Sequence, residues 1–353
     1  MGKMKLAVIF GGMSSEHEVS CISSKAIIDN LDKNKYEIYK VGITKDGRWF
    51  LTDASTDEIA DGTWEQKENI PASISPDRSI SGLVTPDGNI KIDAVFLGVH
   101  GRNCEDGVLQ GLLECSGIPY TGSGVTASAC SMDKSVTKLM VEKAGIRQAD
   151  FVLVYRHEAE GKEEGMDDIL NKVESHFDSV YPLFVKPANE GSSVGITKAH
   201  DRDELKKAIE LAFRYDKKVL VEETIVGREI ETAVLGNDDP IVAKPGEVLA
   251  ANEFYDYEAK YNNIGSETII LEDLDTETKQ MIKDTAIRVF KAMGCRGYAR
   301  IDFFLTEDNS LILNELNTLP GFTSISMYPQ MWQASGIGYS ELLDKLIELA
   351  CEE

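Results

Sequence analysis

Apolar positions in the first third of the chain alternate between two periods. Lys5 to Phe10 is a short, nearly continuous apolar run closed by Gly11 and Gly12, the pattern of a buried strand. Val19, Ile22, Ala26 and Ile27 then recur at helical spacing through Leu31. Tyr36 to Ile43 and Ala94 to Val99 read as further strands, and Val108 to Cys115 as a helix stopped by Gly117 and Pro119. Strands alternating with helices predict an α/β fold with a parallel, doubly wound sheet, whose ligands sit beyond the carboxyl ends of the strands. Residues 52–90, richer in Ser, Thr, Pro, Asp and Gly, read as an excursion from that core.

A second unit begins near Met132. It runs through a helix at Lys134 to Ala144, a strand at Phe151 to Val154 and an acidic stretch, His157 to Asp168, read as a solvated loop and helix start. A strand at Leu183 to Lys186 leads into Pro187, followed by a helix at Asp201 to Tyr215 and a strand at Val219 to Glu222. The remainder predicts a helix at Glu277 to Met293, strands at Tyr298 to Leu305 and Leu311 to Asn314, and a closing helix at Tyr339 to Leu349.

Composition narrows the function. With 353 residues, at ~150 per domain, two or three compact units are expected. The 37 Lys and Arg against 60 Asp and Glu leave a net charge of −23, which repels phosphate backbones and anionic bilayers. Neither nucleic acid nor membrane is therefore an expected partner, and an anionic substrate must be met by local cations or metal ions. No apolar run approaches the ~20 residues that span a bilayer, and the Leu6 to Phe10 stretch is too short for a signal-peptide core. The six cysteines lack the paired spacing of zinc or redox sites, and they read as reduced thiols of a cytoplasmic protein.

Five segments carry candidate chemistry. "GGMSSEHEVS", Gly11 to Ser20, follows a strand and opens a helix, offering free backbone amides; simple helix capping is the alternative reading. It is not the Gly-x-Gly-x-x-Gly dinucleotide pattern. "KPANEGSSVGI", Lys186 to Ile196, puts a lysine at a strand end before a Gly-Ser loop, as a flap over phosphates does; a flexible turn is the bland alternative. "ARIDFF" and "LNELNTLPGFTS" place Asp302, Glu315 and Asn317 on strands or at their ends, with Glu315 and Asn317 two apart and so on one face. Such hard oxygen donors suit Mg2+ bridging phosphates, whereas the alternative is a salt-bridged core with Arg300 pairing Asp302 or Glu315. "VHGRNCEDG", Val99 to Gly107, lies at a strand's carboxyl end, and "EFYDYEAKY", Glu253 to Tyr261, is rich in aromatic and ionisable groups.

In this order the five segments resemble the D-alanine–D-alanine ligases of the ATP-grasp superfamily, from Lys5 to about Leu349. The resemblance implies an ATP-grasp architecture: an N-terminal doubly wound domain (1–131), a central lobe (132–225) and a C-terminal lobe with the metal site (226–353), the two α+β lobes enclosing ATP. It implies ATP-dependent joining of two D-alanines through an acyl phosphate, for peptidoglycan precursors, with two Mg2+ or Mn2+ ions and a homodimer. Lys134, Lys186 and Ser193 correspond to groups on the ATP phosphates, Glu222, Glu223 and Ile225 to the adenine-contacting linker, and Glu229 to the acid on the ribose. Asp302, Glu315 and Asn317 correspond to the metal ligands. Glu16 corresponds to the acid holding the first ammonium, Ser192 and Tyr261 to hydroxyls that network with it, and His100 to a first-site residue. Arg300 and the Gly321 amide correspond to groups facing the transferred phosphoryl and the tetrahedral oxygen, Ser326 and Met327 to the second-substrate pocket.

The alternatives are an ATP-grasp ligase of another carboxylate and amine and a D-alanine–D-serine ligase of the resistance type, to which some departures point. Arg102 to Cys104 replaces a second glycine and resembles that branch, as does the 52–90 excursion. Against it, Met327 is apolar where that branch carries an arginine, and Tyr255 keeps its ring. Ile325 stands where relatives place a histidine, and Tyr261 argues against the D-lactate branch.

Overall fold

The strand at Met4–Gly11 is apolar on both faces and is fully covered from Leu6 to Phe10, as a central parallel strand must be. A computed structural model describes residues 2–161, 164–249 and 267–352; the aromatic segment with Tyr255 and Tyr261 lies outside the described residues. Met4–Gly11 pairs in parallel with Tyr36–Ile43 on one side and Ala94–Leu97 on the other. The 52–90 excursion and the strand before it finish this sheet differently from a purely parallel one. Trp49–Thr52 and Ile70–Pro71 add an antiparallel edge, and Ser73–Ile74, Gly82–Thr85 and Gly88–Lys91 make a separate three-stranded sheet. The excursion is anchored by Trp64, which is wholly buried and meets the Phe10 ring edge-on at 5.1 Å between centroids.

A second, antiparallel sheet runs in the order Thr197–Ala199, Leu183–Pro187, Lys218–Glu223, Phe151–Tyr155. The helices Gly165–His176 and Arg202–Tyr215 cover one face of it through Ile169, Leu205 and Ile209. The helix start expected in the acidic stretch His157 to Asp168 is that of Gly165–His176, whose Ile169, Leu170 and Val173 form the apolar stripe that docks on the sheet; the short helix Arg156–Ala159 was not expected. A third sheet orders Glu267–Ile270, Gly246–Leu249, Arg228–Leu235, Tyr298–Leu305 and Leu311–Asn317, and helix Thr276–Ala292 packs on it.

The chain then returns to its beginning. Helix Tyr339–Cys351 places Leu342, Leu346 and Ile347 in the same core as Leu6 and Val8, and Asp344 accepts from Tyr36 Oη at 2.8 Å. That return brings the loop 319–326 against the N-terminal sheet. Phe322, 1% exposed, is wedged among the rings of Phe96, Tyr298, Tyr328 and Tyr339. No described helix is long and apolar enough to cross a membrane, and all six cysteines are free.

Candidate active site

Register explains how the acidic residues converge. In an antiparallel pair, residues directly opposite each other share a face. Arg300 lies opposite Asn317, Asp302 opposite both Glu315 and Glu231, and Arg300 and Asp302 are two apart. All five side chains therefore project from one face of the third sheet. A bulge between Asp302 and Phe303 leaves Asn314 as the extra residue, so Asn314 and Glu315, though consecutive, both line the ligand cavities. The strand runs on to Asn317, three residues beyond its expected end, and carries Glu315 within it.

Arg300 is the hub of this cluster. Its Nε and Nη2 donate to Asp302 Oδ1 and Oδ2 at 2.9 and 2.7 Å, a bidentate pair. Glu231 Oε1 is 3.4 Å from Nε and Glu315 Oε1 is 3.8 Å from Nη2. Burial works against the guanidinium charge, yet Asp302, Glu231 and Glu315 hold its pKa well above the ordinary value. The Asn317 amide is 3.2 Å from Asp302 Oδ2 and 3.5 Å from Glu315 Oε1. The sequence alternatives of a metal-ligand set and a salt-bridged core thus fall on the same side chains. Glu231 was not anticipated, because its strand, Arg228–Leu235, was not predicted; its two-residue offset from Glu229 was the available signal.

Two cavities meet at this face. The larger, about 600 Å³, is lined by Lys134, Lys186, Ser193, Glu222, Glu223, Ile225 and Glu229, all seven positions expected to hold the nucleotide. The smaller, about 450 Å³, is lined by Glu16, His100, Ser192, Arg300, Gly321, Ser326 and Met327. Ile325, the departure from the family's histidine, also lines it. Lys134 and Glu315 belong to the walls of both, so the two spaces join where a lysine and an acid stand together. Asp302 is 1% exposed and lies behind Arg300 rather than on either wall.

Two lysines of the larger cavity, Lys186 and Lys138, are held by one acid. Glu222 carboxylate oxygens lie 2.7 Å from Lys186 Nζ and 3.1 Å from Lys138 Nζ. Burial alone would raise the Glu222 pKa, but the two ammonium groups hold it below the usual range. Burial likewise opposes the Lys186 charge, and Glu222 outweighs it, so Lys186 titrates above its ordinary value. Lys134 is pushed down by burial. Lys138 was missed in the sequence, although it follows Lys134 by four residues on the helix Lys134–Lys143 and so shares its face.

The smaller cavity gathers three loops around Glu16. Ser192 Oγ donates to Glu16 Oε1. Ser192 and Ser193 both adopt left-handed backbone, with φ of 48° and 59°, which turns the Gly-Ser loop inward. A β-carbon on Gly101 would come within 2.8 Å of Glu16 Oε2, so that carboxylate lies directly against the "VHG" loop. Glu105 from the same loop accepts the Gly101 N–H at 2.5 Å; burial, reinforced by the Glu16 charge, pushes its carboxyl well above the carboxylate range.

Both ring nitrogens of His100 are engaged within the protein. Nδ1–H donates to the Leu319 carbonyl at 3.0 Å, and Nε2 accepts from Ser23 Oγ at 3.1 Å. His100 thus braces the loop carrying Gly321. Burial pushes its pKa below the ordinary imidazole value. The unfolded chain takes a proton at pH about 6.5. The stability tied to neutral His100 is therefore present above that pH and lost as pH falls through it. The thermal midpoint of the wild type is expected to drop more steeply than that of His100→Asn below pH about 6.5. Parallel slopes would show that His100 titrates alike in both states.

Ser326 occupies the N-cap position of the helix Met327–Ala334 without a side-chain capping bond, and its Oγ accepts the Thr323 N–H at 3.0 Å. Gly321 lies beside it, where a β-carbon would come within 3.0 Å of Ser326 Oγ. Met327 is 5% exposed and packs into the shared core.

Family models described as the D-ala D-ala ligase N-terminus and C-terminus match residues 5–123 and 140–348. The chain belongs to the D-alanine–D-alanine ligase family. Relatives named D-alanine–D-alanine ligase from Caldicellulosiruptor bescii and Acetivibrio thermocellus are 51% and 49% identical, aligned over 100% and 99% of this chain and 96% of each relative. Among solved structures, the VanG D-Ala:D-Ser ligase from Enterococcus faecalis matches with a TM-score of 0.88 at 40% identity, covering 99% of this chain and 100% of that one. The D-alanine–D-alanine ligase from Coxiella burnetii matches at 0.86 and 37%, covering 99% and 94%. The fold is the ATP-grasp ligase fold, and the chain is an ATP-using ligase of this family.

Proposed function

We propose that the enzyme joins two D-alanines to D-alanyl-D-alanine, ATP occupying the larger cavity and the amino acids the smaller. The observation that carries this reading is the shared wall: Lys134 and Glu315 face both spaces, so a carboxylate in one cavity can meet a terminal phosphoryl group from the other. The donor carboxylate attacks that phosphorus, ADP leaves, and the amine of the second D-alanine displaces phosphate from the acyl phosphate. Glu16 receives the first ammonium, with Ser192 fixing its carboxylate. Lys134 and Lys186 meet the phosphates as point charges, and Arg300 and the Gly321 amide offset the negative charge that grows on oxygen in both steps. Ser326, at a helix N-terminus, offers its hydroxyl and neighbouring amides to the second carboxylate.

Asp302, Glu315 and Asn317 would hold a divalent ion: a turn of the Asn317 amide brings its oxygen into one cluster with the two carboxylates, and Asp302, both of whose oxygens accept from Arg300, would share that pairing with the ion. Among the described residues no set of three or more His, Cys, Asp and Glu forms a cage. Two carboxylates and an amide oxygen are the hard donors that would suit Mg2+. When bound, the ions, two by this reading, neutralise phosphate charge and polarise the transferred group.

The acceptor is D-alanine rather than D-serine in this reading. Met327 lines the acceptor end with a thioether, which offers a hydroxyl only a weak acceptor, although apolar pockets reject an added hydroxyl by only ~10²-fold. The same reading keeps three units (1–131, 132–225 and 226–353), a cytoplasmic homodimer and a role in peptidoglycan precursor synthesis. Purified enzyme with ATP, Mg2+ and D-alanine is expected to release ADP and form the dipeptide, which stays the main product when D-serine and D-lactate compete. ADP release that continues unchanged without D-alanine would sink the proposal.

A further inference from the structure

Gly246 lies behind the smaller cavity, on a strand between two strands that contribute to its wall and beneath Met327, which lines it. By register it stands opposite Glu231 on one neighbouring strand and Ile270 on the other, and Glu231 and Thr268 both line the cavity. Its backbone φ is not in the left-handed region, so conformational freedom does not account for a glycine at this strand position. Its neighbours do. A β-carbon on Gly246 would fall 1.8 Å from Met327 Cε, while the next foreign atom, the Ile269 carbonyl oxygen, is 3.4 Å away. The end of the Met327 thioether therefore rests directly on the bare strand, and little else crowds the place where a side chain would go.

We propose that Gly246 is a specificity-determining residue: by lacking a side chain it lets Met327 lie back against the strand and so sets the room left for the acceptor's side chain. The inference rests on the reading of Met327 as part of the second-substrate pocket. Met327 is 5% exposed and belongs to the shared core, and close-packed interiors hold few voids. A methyl displaced from the strand finds its free volume in the 450 Å³ cavity that Met327 already lines. Methionine's three rotatable bonds make that move inexpensive in stability, so the effect falls on the pocket rather than on the fold.

Gly246→Ala is expected to raise KM for D-alanine at saturating ATP by about 10-fold or more, the scale of one methylene in an apolar pocket. KM for ATP stays unchanged. The ratio of D-alanyl-D-serine to D-alanyl-D-alanine made from mixed substrates falls, because the larger acceptor is excluded first. In a Met327→Ala background the same glycine change is expected to leave KM and product ratio within about 2-fold, since the displaced group is gone. An equal loss from Gly246→Ala with and without the Met327 side chain overturns the proposal, as does an unchanged KM in a folded single variant. Should the single variant fail to fold, the comparison of Met327→Ala with the double variant still decides it. A wild type that makes no D-alanyl-D-alanine refutes the functional reading instead, so the two failures are distinguishable.

Discussion

Replacing Glu315 with Gln is expected to lower kcat by about 10³-fold while the protein stays folded. The side chain keeps its shape, and its strand is fixed by the Asp302–Glu315 and Arg300–Asn317 pairings, which involve the backbone and not the carboxylate. What changes is one negative charge at the acid that, alone among the described residues, faces both cavities and, with Asp302 and Asn317, forms the divalent site of the proposed function. The Mg2+ concentration for half-maximal rate should rise, and calorimetry should show weaker Mg2+-dependent binding of a non-hydrolysable ATP analogue. The Arg300–Asp302 pair remains, and with Glu315 neutral the guanidinium faces less negative charge. Full turnover at ordinary Mg2+ would remove Glu315 from the metal set.

Lys186→Met is expected to act on catalysis and stability together. Removing the ammonium takes a point charge from the nucleotide cavity, so KM for ATP should rise and kcat fall by about 10²-fold or more. It also leaves Glu222, 5% exposed, with Lys138, at 3.1 Å, as its remaining lysine partner among the described residues. Breaking a buried pair typically costs about 3–5 kcal/mol; because Lys138 stays, the loss here should lie at or below about 3 kcal/mol. The double variant Lys186→Met with Glu222→Gln separates the two effects. Neutralising the stranded carboxylate should restore much of the thermal midpoint, and turnover should stay low. If the double variant recovers both, the lysine serves the fold and does not touch the nucleotide.

The strands at Tyr36–Ile43 and Tyr298–Leu305 were legible in the sequence to the residue, because buried strands need apolar runs wherever they lie in space. The motifs were legible for a related reason: glycines and clustered oxygen donors are costly unless a ligand or partner requires them. All seven expected nucleotide residues fall on one cavity. Arg228–Leu235 and Gly246–Leu249 were not legible, since strands bearing Arg228, Glu229, Glu231 and Glu247 among apolar residues carry no clear period once their polar face lines a site. Glu231 was lost with that signal, whereas Lys138 was missed on an expected helix, where it shares the face of Lys134. The tertiary structure alone decided that one acid, Glu222, would hold two lysines drawn from different elements, and that His100 would brace the Gly321 loop instead of offering a free nitrogen. Residue type and local spacing fix what a side chain can do; which groups it meets across 219 positions, as His100 meets Leu319, depends on how the sheets stack and where the chain returns.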